Sequence, residues 1–257
     1  MNVFAPIGRS TLHFLTFIGR LTQFTGSSLW HCFAPPVFVQ IIAQQMLRIG
    51  FYSLPVVGLT AFFTGGVLAL QTYIGGSRLN AEDIVANIVV LGITRELGPV
   101  LAGLMVAGRV SAAIAAEIGT MRVTEQIDAL STLSTNPFKY LVVPRIVAAV
   151  VSLPLLVIVA DTIGVLGGYF IGVQVLDFNS AVYLDNTVNF LEPQDVTSGL
   201  IKAAVFGFII ALMGSYYGYH SDGGAQGVGK ATTNAVVSAS ILILTSNYAL
   251  TSLLFSE

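Results

Sequence analysis

The stretch "LGITRELGPVLAGLMVAGR", residues 91–109, sets Arg95 beside Glu96 inside a run otherwise apolar enough to cross a bilayer. The rest of the chain is of the same kind. Of its 257 residues, 54% are hydrophobic and only 9% charged, against roughly 25% charged in a soluble domain. Mean hydropathy is +0.82. These values define an all-α integral membrane protein, because in hydrocarbon every backbone polar group must be satisfied within the segment.

A spanning helix needs about 20 mainly apolar residues, and five stretches qualify: Ile49–Ser77, Ile84–Gly108, Ile146–Leu176, Val196–Tyr219 and Ala231–Ser256. Residues 1–48 precede them as an interfacial region. There Arg9 and Arg20 alternate with Phe4, Leu12, Phe14, Leu15, Phe17, Ile18, Leu21 and Phe24, the pattern of a basic aromatic helix lying in the membrane surface. Residues 49–257 form the five-span core of one membrane domain, with no repeat and no separate soluble domain.

Orientation follows the Lys and Arg residues. With the N-terminus inside, the cytoplasmic side holds Arg9, Arg20, Arg48, Arg109, Arg122, Lys139, Arg145 and Lys230, and the outer side only Arg78. The outer side collects Glu82, Asp83, Asp177, Asp185, Glu192, Asp195 and Glu257. An odd number of spans then puts the C-terminus outside.

Soluble chemistries find little support. His13, His31 and His220 are far apart and fall in no zinc pattern, and the single Cys32 cannot form an intrachain disulfide. "GAQGVGKA", 224–231, fits the G-x-x-x-x-G-K spacing of a phosphate loop but has Ala231 where magnesium needs Ser or Thr. It also joins two spans instead of a strand and a helix. No catalytic residue, metal site or nucleic-acid surface is expected in this chain.

The informative residues are the charges within spans: Arg95, Glu96, Asp161 and Lys202. Each costs about 2.5–3.5 kcal/mol at a helix centre on insertion scales, so each needs a partner or a wet cavity. Two readings fit two acids and two bases: buried ion pairs that fix helix register, or cavity walls that meet the polar group of a cargo. Neighbours on a helix point about 100° apart, so Arg95 and Glu96 are expected to brace one another. Gly98-Pro99 should kink the helix just after them. In the first span, Gly65, Gly66, Gly75 and Gly76 permit close helix approach, and Leu68, Leu70 and Tyr73 offer apolar lining. A proton-coupled secondary transporter using Glu96 or Asp161 is the alternative from another class.

Four segments carry a resemblance: "TRELGPVLAGLMVAGRVSAAIAAEIGTMRVTEQIDAL" (94–130), "NPFKYLVVPR" (136–145), "SLPLL" (152–156) and "GKATTNAVV" (229–237). In order and spacing they resemble the MlaE family of ABC-transporter permeases, which serve bacterial lipid transport with MCE proteins. The resemblance implies a homodimeric permease of the cell inner membrane with an interfacial helix and five spans per subunit. It implies no cofactor in this chain, with ATP and Mg in a partner ABC ATPase. It implies a STAS-like accessory subunit below and a periplasmic MCE hexamer above. Its cargo is phospholipid in a cavity at the dimer interface, which places Arg95, Glu96, Leu97 and Lys202 at positions that handle cargo or stabilise the cavity. A coupling helix at about 117–131 would seat in the ATPase through Glu117, Arg122, Glu125, Gln126 and Asp128.

Overall fold

A computed structural model describes residues 4–36, 38–77 and 84–255. Residues Arg78, Glu82, Asp83 and Glu257, and the side chains of Arg9, His13 and Phe14, lie outside the described set. The described residues form helices joined by short turns and loops, without strands. Five stretches are long and apolar enough to cross a membrane: Val39–Gly76, Val85–Val123, Phe138–Gln174, Pro193–Tyr219 and Gly224–Leu254. The chain is a multi-pass membrane protein.

Helix α1, Phe4–Phe33, exposes Leu12, Leu15, Leu29, Trp30 and Phe33. Its other side is held by rings. Phe24 is buried against Phe138, Tyr216 and Tyr219, with centroids 5.1–5.9 Å apart. Helix α2, Val39–Ile49, passes at Gly50 through the short turn Phe51–Ser53 into α3, Leu54–Ser77. The first crossing therefore begins about ten residues before the stretch drawn from hydropathy, because α2 carries the apolar surface that packs on α8.

The second crossing is one helix with two wide turns. Helix α4, Val85–Gly92, α5, Gly98–Val106, and α6, Ala112–Val123, are joined by π turns at Ile93–Leu97 and Ala107–Ser111. A π turn is a local insertion that functional sites favour, and here the two hold Arg95 with Glu96 and Arg109. Helix α7 is Gln126–Thr132. A third π turn, Phe138–Val142, leads into α8, Val143–Gln174.

Three expectations about boundaries change. Residues expected in the acidic outer loop form helix α9, Ser180–Phe190, whose N-cap Asn179 accepts from the Ala181 and Val182 N–H groups at 3.0 and 3.3 Å. Asp195, counted among the outer-loop acids, is wholly buried in the first turn of α10, Pro193–Tyr219. The glycine-rich segment after His220 is loop only to Gly223, since α11 runs Gly224–Leu254 and makes Lys230 a helical residue.

Helices α3 and α8 form the tightest crossing. A Cβ on Gly65 would overlap the Gly164 carbonyl, and one on Gly167 would overlap the Phe62 carbonyl, so backbone meets backbone, the contact that small residues make possible in lipid. The main apolar core lies among α5, α6, α8, α10 and α11, around Phe206, Ile210, Leu153 and Ile243.

Candidate functional site

Lys202 on α10 is wholly buried, yet its ammonium has two acceptors. Lys202 Nζ donates to Glu96 Oε1 at 2.7 Å and to the Arg95 carbonyl at 2.9 Å. The same Glu96 carboxylate accepts from Thr251 Oγ1 and Asn247 Nδ2 of α11, both at 2.9 Å. Arg95 turns elsewhere. Its Nε donates to Asp195 Oδ1, and its guanidinium carbon stands 4.5 Å from the centroid of Phe255.

The local backbone explains this division. The π turn moves Gly98 N onto the Ile93 carbonyl, five residues back. Pro99 has no N–H for the next carbonyls, so two of them need other company. Lys202 serves the Arg95 carbonyl, while the Thr94 carbonyl backs onto Gly199 so closely that a Cβ there would collide with it. The expected proline kink is thus a widened turn whose free carbonyl helps to hold a buried lysine. Arg95 and Glu96 do not brace one another; each takes a partner from α10.

Asp195 does two jobs from one carboxylate. Oδ2 accepts the Glu192 N–H at 3.0 Å, completing a capping box at the start of α10, and Oδ1 takes Arg95. Reading Asp195 as a solvated loop acid missed it; the available signal was D-x-x-x-x-x-x-K, two helical turns that put Asp195 and Lys202 on one face. Asp195 opens α10 and Lys202 comes seven residues later, about 14 Å along the helix from Pro193. Glu96 and Arg95 keep 38% and 31% of their side chains exposed, whereas Lys202 and Asp195 keep 0% and 1%. Two buried residues therefore hold two accessible ones of opposite charge.

The apolar members of the predicted set lie apart from these charges. Leu68, Tyr73 and Leu97 pack with Ala69, Val85, Val89 and Ile93 between α3 and α4, and Tyr73 meets Phe178 edge-on at 5.6 Å. Leu70 is half-buried on α3. Asp161, considered as a counter-ion, has none: it is 8% exposed and its Oδ1 has no hydrogen-bond partner.

A second polar network sits at the opposite end of the bundle. Glu117 lies on α6, not on the short loop helix, and pairs with Arg48 at 3.2 Å and with Arg145 at 2.8 Å. Arg109, on the second π turn, donates to Ser53 Oγ at 2.9 Å and to the Arg48 carbonyl at 2.5 Å, tying the α2–α3 junction to the second crossing. The loop helix α7 is short and anchored by buried Ile127. Arg122 at the end of α6 bridges to Asp128 at 2.8 Å, Gln126 Nε2 donates to Thr124 Oγ1 at 3.0 Å, and exposed Glu125 takes a left-handed φ of 59° at the corner.

The sequence profile described as "Permease MlaE" matches residues 42–253, a range that includes every ion-paired residue of both networks. The chain belongs to the MlaE permease family. It is 58% identical over 254 residues to a probable ABC transporter permease protein of Rickettsia conorii, covering 99% of this chain and 98% of that one. It is 31% identical over 258 residues to the intermembrane phospholipid transport system permease protein MlaE of Haemophilus influenzae, at 99% and 98% coverage. The chloroplastic protein Trigalactosyldiacylglycerol 1 of Arabidopsis thaliana is 36% identical over 212 residues, covering 82% of this chain and 61% of that protein. As an MlaE permease, the chain is a transport component of an ABC transporter rather than an enzyme. Among the described residues no three His, Cys, Asp or Glu side chains group as a metal site.

Proposed function

We propose that this chain is the permease subunit through which an ABC transporter moves phospholipid between the bacterial inner membrane and a periplasmic MCE hexamer. The observation that carries the reading is the network at α10: accessible Glu96 and Arg95, of opposite sign, held in place by buried Lys202 and Asp195. A zwitterionic or anionic head group needs such groups, and the separate apolar cluster of Leu68, Tyr73 and Leu97, which Leu97 links to the turn that carries Arg95 and Glu96, suits acyl chains. The Haemophilus relative's phospholipid name agrees with that chemistry.

The working unit is a homodimer. Helix α11 supports this, since only 11% of its most apolar stretch is buried within the chain while Val237, Ile241, Leu244 and Tyr248 stand exposed. Because Asn247 and Thr251 on α11 bind Glu96, a second protomer against this helix would set two such networks around one chamber. The N-terminus is cytoplasmic and the C-terminus periplasmic, by the placement of Lys and Arg. Helix α7 with the corner before it, carrying Arg122 at the end of α6, Glu125, Gln126 and Asp128, is the coupling element to an ABC ATPase that binds ATP and Mg, with a STAS-like subunit attached.

Reconstitution tests this. The permease alone in liposomes should hydrolyse no ATP and move no lipid, and with its ATPase and MCE partners it should transfer labelled phospholipid in an ATP-dependent way. Lys202→Ala should cut transfer more than it cuts assembled complex. Lipid movement by the isolated chain under a proton gradient, abolished in Glu96→Gln, would replace this reading with a proton-coupled carrier.

A further inference from the structure

Four acidic side chains lie within the described spans, and three have a cation: Glu96 has Lys202, Glu117 has Arg48 and Arg145, and Asp195 has Arg95. Asp161 is the exception. Its Oδ1 occupies the place where a Cβ on residue 98 would stand, so Gly98 leaves the room it fills, and that oxygen finds no donor. Burying an unpaired carboxylate in apolar surroundings is costly, and packing with Gly98 does nothing to offset it.

Asp161 lines a crevice of about 290 Å³ among α8, α9, α10 and α4, close to the roughly 300 Å³ lower bound of small-molecule sites. Its walls are Val90, Val165, Leu191 and Val196, and its mouth is formed by exposed Ile158, Thr162 and Leu166 on the lipid-facing side of α8. Three threonine hydroxyls complete the lining. Each has committed its proton to a carbonyl four residues back: Thr94 to Val90 at 2.9 Å, Thr162 to Ile158 at 2.8 Å, and Thr187 to Tyr183 at 2.8 Å. With their protons spent, these hydroxyls offer lone pairs only. The crevice thus presents one carboxyl and three acceptor oxygens, with no cationic side chain in its lining. An anionic group at the end of a ligand finds no cationic partner in this lining. A group with several N–H bonds and a positive charge matches it.

We propose that this crevice is a second lipid site, separate from the Glu96–Lys202 network, which takes an amphiphile whose head group ends in a primary ammonium. The ammonium donates to Asp161 and to the threonine oxygens, and the apolar body leaves past Ile158 and Leu166 into the bilayer. The inference goes beyond the proposed transport function, since occupancy is measurable with no transport taking place.

The test uses the full chain purified into nanodiscs of equal phosphatidylethanolamine and phosphatidylcholine with identical acyl chains, then extracted with mild detergent and its retained lipid counted by mass spectrometry. The wild type should hold the ethanolamine lipid in about tenfold preference, the scale of one charge-assisted hydrogen bond. The preference should fall stepwise with one, two and three N-methyl groups. Asp161→Asn should abolish it. So should Leu166→Trp, which blocks the mouth from an exposed position and leaves Asp161 intact, keeping the test decisive if the Asn variant folds poorly. Equal retention of the two lipids by the wild type overturns the proposal. Preference surviving in either folded variant also overturns it, because the amine is then recognised elsewhere.

Discussion

Lys202 and Pro99 are linked through a carbonyl that belongs to neither: Nζ of Lys202 lies 2.9 Å from the Arg95 oxygen, which Pro99, four residues on, has no N–H to satisfy. The lysine is thus bound by a backbone defect as well as by the Glu96 carboxylate. Lys202→Met should lower stability by about 3–5 kcal/mol, the cost of removing one partner of a buried pair. The loss should shrink by about 1 kcal/mol in a Pro99→Ala background, where residue 99 regains its N–H. It should shrink further in Lys202→Met/Glu96→Gln. Thermal unfolding of the wild type, the three single variants and the two double variants in one detergent gives both double-mutant cycles, and a Pro99 background without effect would show that the carbonyl contact contributes nothing.

Arg95→Ala should hurt more than its partial exposure suggests, because it abandons a carboxylate that is wholly buried. Asp195 would retain only the Glu192 N–H. Arg95→Ala should therefore cost about 3 kcal/mol or more, and Arg95→Ala/Asp195→Asn should recover part of that, since Asn keeps an oxygen for the cap without the charge. The check is the melting temperature of both variants beside Asp195→Asn alone.

The sequence made the five crossings and the charged quartet legible, because hydropathy and the presence of a charge within an apolar run are local properties. Pairing is not local. Asp195 looked like a loop residue because Pro193 and Glu192 disguise the start of α10, and a capping box that also serves an arginine 100 residues away leaves no trace in spacing. Glu117 looked like part of the loop helix for the opposite reason, since α6 carries its helical pattern past the end of the apolar run. The π turns were illegible too: Pro99 announces a disturbance, but only the position of Gly98 N on Ile93 shows that the helix widens there.

The glycines of α3 divide by what they touch. Gly65→Ala should disrupt folding and sharply reduce the yield of protein in membranes, since its Cβ would meet the Gly164 backbone, which cannot move aside as a side chain does. Gly75→Ala meets nothing within 4 Å and should raise helix stability by up to about 1 kcal/mol. Comparable yields of the two variants by fluorescence size-exclusion would dismiss the backbone crossing as a constraint.

Tyr183 of α9, outside the spans, gives a pH dependence. It is buried with no partner for its hydroxyl, and burial pushes its pKa from 10.0 to about 12. The folded chain then holds this proton more tightly than the unfolded chain. Its contribution is intact below about pH 10 and is lost as pH rises from about 10 to about 12. Tyr183→Phe should unfold no more easily at pH 8, having lost an unsatisfied hydroxyl, and should show a shallower decline in melting temperature above pH 10. An unchanged alkaline slope would mean that Tyr183 ionises as a free phenol does.

Helix α7 separates stability from docking. Its Arg122–Asp128 bridge is exposed, at 38% and 62%, and such pairs contribute only about 0–1 kcal/mol. Asp128→Lys should therefore leave the melting temperature of the permease nearly unchanged while reversing the charge that α7 offers to an ATPase groove. Glu125 occupies a left-handed corner that costs a non-glycine residue about 1–2 kcal/mol, so Glu125→Gly should stabilise the corner and Glu125→Lys should not. If α7 couples to the ATPase, Asp128→Lys and Glu125→Lys should each reduce ATPase recovered by affinity purification of the permease, and Glu125→Gly should reduce it less. Full recovery with both lysine variants, at normal permease levels, would move the ATPase contact away from α7.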